Sequence, residues 1–351
     1  MTPLADLLIR QIAATGPISV ADYMGECLLH PTHGYYSTRD PFGKGGDFIT
    51  APEISQMFGE LLGLCLAQSW MDQGSPARFT LAEIGPGRGT CMADVLRATK
   101  AVPGFHAAAN VALIEASATL RTVQATTLAP YAPTWADSVV ALPEQPLYLI
   151  ANEFFDALPV DQFQRTTEGW RRHMVGLKDN ALAFGLSDPV PCPDARFAED
   201  AVGTVVELCP TAAPIADHIG ALIRQHGGVA LIIDYGGWRS KGDTLQALRN
   251  HRPESPLTNP GQADLTAHVD FEALADAAGA VMCSGLIDQG TLLTRLGIAA
   301  RAARLAQSLS GAALENHLSA TLRLTDPAEM GTLFKAMAIC PPDCPPPPGF
   351  A

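Results

Sequence analysis

Residues 79–89 read FTLAEIGPGRG, an apolar stretch that ends in an acid and passes directly into alternating glycines. Phe79, Leu81, Ala82 and Ile84 predict a short buried strand, and residues 90–98 predict a helix whose N-terminal amides face the turn between them. Gly85, Gly87 and Gly89 remove the Cβ atoms that would block close approach of a ligand. The chemistry this suits is the cradling of a small polar molecule at a strand's carboxyl end. Two common ligands do not fit the spacing. A dinucleotide fingerprint places its third glycine one residue later than Gly89, and a phosphate-binding P-loop ends in Gly-Lys-Ser/Thr, where this chain has Gly89-Thr90.

A second group of polar side chains follows another apolar run. PLYLIANEFFDALPVDQF predicts a strand over 147–151 and then crowds Asn152, Glu153 and Asp156 just past its end, where an open α/β sheet keeps its ligand crevice. Glu115 closes the strand predicted from VALIEAS, the place at which a nucleotide-type site binds a ribose hydroxyl pair. Asp137 and Ser138 fall where a third strand and an adenine-contacting loop are expected. Asp234-Tyr235-Gly236 ends a fifth buried run, GVALIIDYGG.

The elements that position these residues are legible in outline. Thr2 and Pro3 open a first helix with Leu4, Leu7, Leu8 and Ile12 on one face, and Gly16-Pro17 stops it. A second helix runs over 19–29. A polar loop follows, and Thr50 with Glu53 predicts a capping box opening a helix whose apolar stripe is Ile54, Met57, Phe58, Leu61, Leu62, Cys65, Leu66 and Trp70. The loop over 45–55, with its glycines and Phe48, and the long segment 237–270, which carries little periodicity, are expected to border the cofactor and substrate entrance. Residues 160–186 predict an antiparallel three-stranded meander inserted into the sheet domain on the substrate side. Helices are expected over 291–323, and Asp326 with Glu329 is expected to cap a last one through residue 339. The fold class is α/β, a Rossmann-like sheet. In chain order it divides into an N-terminal helical region (1–78), a ligand-binding half (79–159), the meander (160–200), the remainder of the sheet domain (201–340) and a proline-rich tail (341–351).

Composition narrows the function. A formal charge of −13 argues against a general nucleic-acid or anionic-membrane binder and permits a cationic protein substrate. No apolar run reaches the roughly 18 residues that span a bilayer. The first residues hold only Arg10 as a basic side chain and show no cleavage site, so the expected location is cytoplasmic. The eight cysteines form no Cys-x-x-Cys pair, so reduced thiols and no metal site are expected.

The spacing Glu83-x-Gly85-x-Gly87-x-Gly89 resembles motif I of class I S-adenosylmethionine (AdoMet) methyltransferases. GDFITAPEISQMFGE, EIGPGRGT, IEAS, ANEFFDALPVDQF, VELCP, IDYGG and PGQADLTAHVDF together resemble the MidA-type family of these enzymes, in order, over roughly residues 1 to 335. The resemblance implies a class I methyltransferase fold and AdoMet as cofactor. Its methionine part would lie on Gly85, Gly87 and Gly89, with Glu83 near its amino group, Glu115 on the ribose, Asp137 and Ser138 at the adenine, and Asn152 and Thr50 as further contacts. It also implies protein arginine methylation, since the family includes a mitochondrial complex I assembly factor that methylates an arginine. Glu153 and Asp156 are then the residues expected to orient the arginine and take its proton. The partner expected is a quinone oxidoreductase subunit, with a homodimer left open. The alternatives are an AdoMet-binding assembly or chaperone module without turnover, a small-molecule methyltransferase and, more remotely, an NAD-dependent oxidoreductase.

Overall fold

The computed structural model describes residues 1–38 and 50–351. Glycine-rich residues 45–49 of the expected entrance loop, Phe48 among them, lie outside the described residues. The chain forms two compact units, each drawn from three separate stretches. The first comprises Met1–Phe48, Asp156–Ala213 and Trp238–Asp270; the second comprises Ile49–Phe155, Pro214–Gly237 and Phe271–Ala351.

The second unit holds the sheet that carries the glycine turn. Its strands are β1 (Phe79–Ile84), β2 (Ala109–Ile114), β3 (Thr134–Ala136), β4 (Leu147–Asn152), β5 (Gly228–Gly237) and β6 (Phe334–Cys340), in spatial order β3-β2-β1-β4-β5-β6, with Met282–Cys283 beyond β6. The first five run parallel and β6 is antiparallel to β5. Every residue of β1 and β4 is buried, as expected of parallel strands covered on both faces, and this is why they read as continuous apolar runs. Chain order reverses between β1 and β4, and the register sets their carboxyl ends level. Ile84 pairs with Ile114 and with Ala151, and Asn152 pairs with Ile233. Gly85, Glu115, Glu153 and Asp234 therefore leave one edge of the sheet at its topological switch point, where such sheets bind ligands.

Helices α1 (Gln56–Asp72) and α2 (Thr90–Thr99) follow, with α3 (Ala118–Thr127) after β2. α1 packs unusually close to α2. A Cβ on Gly59 would come within 2.8 Å of Cys91 and Asp94 atoms, and one on Gly63 within 2.8 Å of the Val95 Cα. Trp70, Phe79, Phe105 and Tyr148 form an aromatic cluster in this core, with Phe79 at 4.9 Å from Phe105 and 5.1 Å from Tyr148. Such pairs add about 0.5–1.5 kcal/mol each beyond their area burial.

The first unit begins with the helix Pro3–Thr15, where Thr2 Oγ1 accepts from the Ala5 N–H at 3.1 Å, and Val20–Leu29, which Ser19 and Asp22 open as a reciprocal capping box. Leu4, Leu8 and Ile12 are buried as expected, whereas Leu7 lies at the surface. The meander is present as Asp161–Thr166, Gly169–Lys178 and Ala181–Val190, with Val205–Leu208 added beside its first strand.

Three expectations are corrected. Segment 237–270 is not an aperiodic loop: Gln246–Arg249, Arg252–Glu254 and Asp264–Thr266 form a small antiparallel sheet. Its hairpin turns on Asn250 and His251, both with positive φ, the geometry of a two-residue turn that follows the strands' own twist. The expected last helix is a single turn, Met330–Leu333, followed by β6. FKAMAIC has helix-forming residues, but burial between β5 and Met282–Cys283 overrides their propensity. The capping box at Thr50 and Glu53 does not form. Thr50 precedes the single turn Ala51–Ile54 without a side-chain bond, and Ser55 caps α1 instead.

Candidate active site

The turn after β1 carries Gly85, Gly87 and Gly89 at φ +62°, +52° and +80°, a region that side-chain-bearing residues avoid. A Cβ on Gly85 would lie 3.0 Å from the Phe154 ring. Gly85 is exposed and packs on the β4 loop, whereas Gly87 and Gly89 are buried, and a Cβ on Gly89 would meet Leu128 at 3.4 Å and Gln124 at 3.6 Å. Glu83, one residue from the end of β1, is almost wholly buried, and its Oε2 has no partner. Burial pushes its carboxyl up to about 8, against the lowering effect of hydrogen bonds from Cys91 and the Met92 backbone.

Glu115 sits at the end of β2 with Oε1 accepting from the Ser117 N–H at 2.7 Å and Oε2 from Gln124 Nε2 at 3.1 Å. Burial raises its carboxyl above the usual range. Gln124, on α3 and 0% exposed, also donates to the Gly87 carbonyl at 2.7 Å and accepts from Trp135 Nε1 at 2.8 Å. One side chain therefore joins the glycine turn, the acid of β2 and the residue after β3's start.

Asp137 and Ser138 stand differently from Glu115. The Asp137 side chain is 90% exposed and pairs with Arg121, whose guanidinium also donates to the Glu115 carbonyl at 2.7 Å. Ser138 accepts from the Val140 N–H at 3.3 Å and caps a short 3₁₀ turn.

At the end of β4, Asn152 and Glu153 are brought together, with Asn152 Nδ2 donating to Glu153 Oε1 at 3.1 Å. The same oxygen accepts from the N–H of Ala51, next to Thr50, at 3.1 Å. Asn152 Oδ1 is buried and has no partner. Glu153 has φ +51°, a strained conformation for a residue with a side chain. Its carboxyl is pushed up to about 7, first by burial and then by the nearby Asp234 charge, with Arg323 opposing. Glu53 accepts from Thr90 Oγ1 at 2.5 Å at the start of α2. Asp156 belongs to the first unit, where its carbonyl accepts from the Ala267 N–H at 3.0 Å. Among the described residues no group of three or more His, Cys, Asp or Glu side chains could hold a metal ion.

Sequence reasoning passed over Gln124, Arg121 and Asp234's bonding. Gln124 had a signal: it occupies the apolar face of α3 between Leu120 and Leu128, where a polar residue needs a buried partner.

Comparison with known proteins decides the family. Residues 61–286 match the family described as "Putative S-adenosyl-L-methionine-dependent methyltransferase". The chain belongs to this family. Protein arginine methyltransferase NDUFAF7, mitochondrial, from Bos taurus is 36% identical over 97% of this chain and 84% of its own length, and the Homo sapiens protein of that name is likewise 36% identical over 97% and 84%. A COG1565 superfamily member from Burkholderia thailandensis bound to S-adenosyl-homocysteine superposes with TM-score 0.84 at 30% identity, covering 99% of this chain and 94% of that one. A second Burkholderia thailandensis structure of the superfamily gives TM-score 0.82 at 31% identity over 99% and 94%. The fold is therefore the class I methyltransferase fold, and this AdoMet-dependent methyltransferase takes AdoMet as its cofactor.

The residues fit that cofactor. Glu83 Oε2 and Asn152 Oδ1 are buried acceptors without a partner, at the ends of β1 and β4, and leaving such atoms unpaired costs about 1–3 kcal/mol each. A cationic amino group and a polar adenosine are groups that would satisfy such acceptors beside the glycine turn.

Proposed function

We propose that this methyltransferase N-methylates an arginine of a protein substrate, a core subunit of an NADH:quinone oxidoreductase, during assembly of that complex. The observation that carries the reading is Glu153: a carboxylate raised to about 7, on a strained turn, at the sheet edge beside the glycine turn. The names of the NDUFAF7 relatives support arginine as the acceptor. The net charge of −13 suits a cationic segment.

Gly85, Gly87 and Gly89 would hold the methionine end of the cofactor, Glu83 its amino group and Glu115 its ribose hydroxyls. Asn152 would hold a polar edge, and Asp137 and Ser138 are proposed near the adenine. When bound, AdoMet supplies a methyl group on a sulfonium, an electrophile that needs only an available lone pair. A guanidinium offers almost none, because it stays protonated and shares its charge over three nitrogens. A carboxylate hydrogen-bonded to one side draws the positive charge there and leaves the opposite nitrogen more nucleophilic. Glu153, ionising near neutrality, suits the acceptance of the proton the methylated nitrogen loses. Asp156 is proposed as a second carboxylate for the guanidinium, and the protein is proposed to act in the cytoplasm.

The test is incubation with methyl-labelled AdoMet and the isolated core subunit, followed by mass spectrometry of the modified residue. Methylarginine is the expected product. Label on another residue type removes the arginine reading, and AdoMet binding without transfer to any subunit would indicate an assembly module instead.

A further inference from the structure

The chain leaves β4 at Asn152 and turns at once, with Glu153 in the left-handed region. That conformation costs about 1–2 kcal/mol for a residue with a Cβ, so the surroundings must hold it. Two groups of β5, on Ile233 and Asp234, do so. The Glu153 N–H donates to the Ile233 carbonyl at 2.9 Å. The N–H groups of Phe154 and Phe155 both donate to Asp234 Oδ2, at 3.1 and 2.8 Å, and the Tyr235 N–H donates to Oδ1 at 2.8 Å. Three main-chain donors thus converge on one carboxylate that is 0% exposed.

We propose that Asp234 is the positioning residue of this enzyme, holding the 153–155 turn through the Phe154 and Phe155 amides so that the Glu153 carboxylate faces its substrate. The inference rests on the reading of Glu153 as the group that meets the acceptor. It explains the buried Asp after GVALII. An asparagine could not replace it: with one acceptor oxygen, it would turn an amide N–H toward either the Tyr235 N–H or the Phe154 and Phe155 pair. The turn is fixed on its other side by the Phe154 ring against the Gly85 backbone, so Asp234 also ties Glu153 to the cofactor cradle.

Asp234 acts on Glu153 in a second way. Among the described residues, the groups facing Glu153 are the Ala51 N–H, the Asn152 amide, the Asp234 carboxylate and, from the helix Gly311–Thr325, Arg323. Of the two charged ones, Asp234 favours the protonated acid and Arg323 the anion. Removing the Asp234 charge must therefore lower the pH at which Glu153 ionises.

Three measurements decide the proposal. In the unaltered protein, the Phe154 and Phe155 amides should resist hydrogen exchange at least about 100-fold although they lie outside any strand; exchange at the rate of an open loop overturns it. In Asp234→Asn, the carboxyl carbon signal of Glu153, assigned by its loss in Glu153→Gln, should titrate lower by at least about half a pH unit, and an unmoved midpoint overturns it. In a double-mutant cycle, Asp234→Asn alone should lower kcat about 10-fold or more with the AdoMet dissociation constant little changed, yet add less than about 2-fold to Glu153→Gln. Fully additive losses overturn it. Should Glu153→Gln keep full turnover, the catalytic reading of Glu153 falls, while exchange and titration still decide whether Asp234 sets that turn. Should Asp234→Asn fail to fold, the exchange measurement on the unaltered protein stands alone.

Discussion

Gln124 Nε2 donates to the Gly87 carbonyl at 2.7 Å, so a side chain on α3 fixes the central residue of the glycine turn. Gln124→Leu keeps the volume but strands the Gly87 carbonyl, Glu115 Oε2 and Trp135 Nε1. Each buried group left unpaired costs about 1–3 kcal/mol, so stability should fall by about 2 kcal/mol or more. AdoMet affinity should weaken by about 10-fold, because Gly87 and Glu115 lose their common anchor. Denaturant unfolding and calorimetry read the two effects; a variant with unchanged cofactor affinity would show that the turn holds its shape alone.

Gly85→Val and Gly87→Val should each weaken AdoMet binding by at least about 10-fold, or about 1.4 kcal/mol. At Gly85 the new Cβ meets the Phe154 ring at 3.0 Å, so the β4 loop must shift as well. Calorimetry on a folded variant with wild-type affinity would remove the turn from the cofactor site. Glu115→Ala should raise the AdoMet dissociation constant by tens-fold, since hydrogen bonds to a charged group are worth about 1.5–3 kcal/mol each.

Glu83 predicts a stability that falls with pH. Its carboxyl ionises near its ordinary value when unfolded and near 8 when folded, so between those limits the folded protein holds a proton that the unfolded chain has released. Stability is then highest below the unfolded value and declines as pH rises toward about 8. Glu83→Gln, which keeps the shape without the charge, should flatten that decline in the cofactor-free protein while weakening AdoMet. Melting temperatures from pH 5 to 9, spanning about those two limits, give the answer, and parallel slopes in both proteins would refute the assignment.

Glu153→Gln should lower methyl transfer by about 10²-fold or more with AdoMet binding retained, the range expected for loss of a catalytic carboxylate. As a base, Glu153 works ionised, so turnover should rise with pH through about 7. A rate independent of pH between 6 and 8, a span of about one unit on either side, would exclude it as the proton acceptor. Asp156→Asn, measured beside it, reports whether a second carboxylate serves the guanidinium.

The parallel strands were legible because burial on both faces makes them apolar without interruption, and β1, β4 and β5 needed nothing else. Glu115 and Asn152 could be placed because they end such runs. β6 was not legible, since Lys335, Ala336 and Met337 are good helix formers and only pairing with β5 on one side and with Ile287–Asp288 on the other makes a strand of this stretch. Asp234 stood out as polar after a buried run, but its bonds to Phe154 and Phe155 cross 80 and 79 residues, a separation that local pattern does not encode. The same limit hid Gln124's reach to Gly87, whereas the turn at Asn250 and His251 carried a local signal in Asn250.

The division of each unit among three stretches of chain bears on how the protein comes into being. Thr2 bonds the Pro260 carbonyl and Tyr23 that of Pro256, across 258 and 233 residues. The helices Pro3–Thr15 and Val20–Leu29 leave the ribosome long before Ala263, Leu265 and Ala267, which complete their core. Contacts this distant slow folding, because chain entropy is lost before any contact compensates for it. During synthesis the apolar faces of Leu4, Leu8, Tyr23 and Met24 stay uncovered. Its synthesis thus has a long aggregation-prone interval, in which a chaperone holding the helices Pro3–Thr15 and Val20–Leu29 would raise its yield.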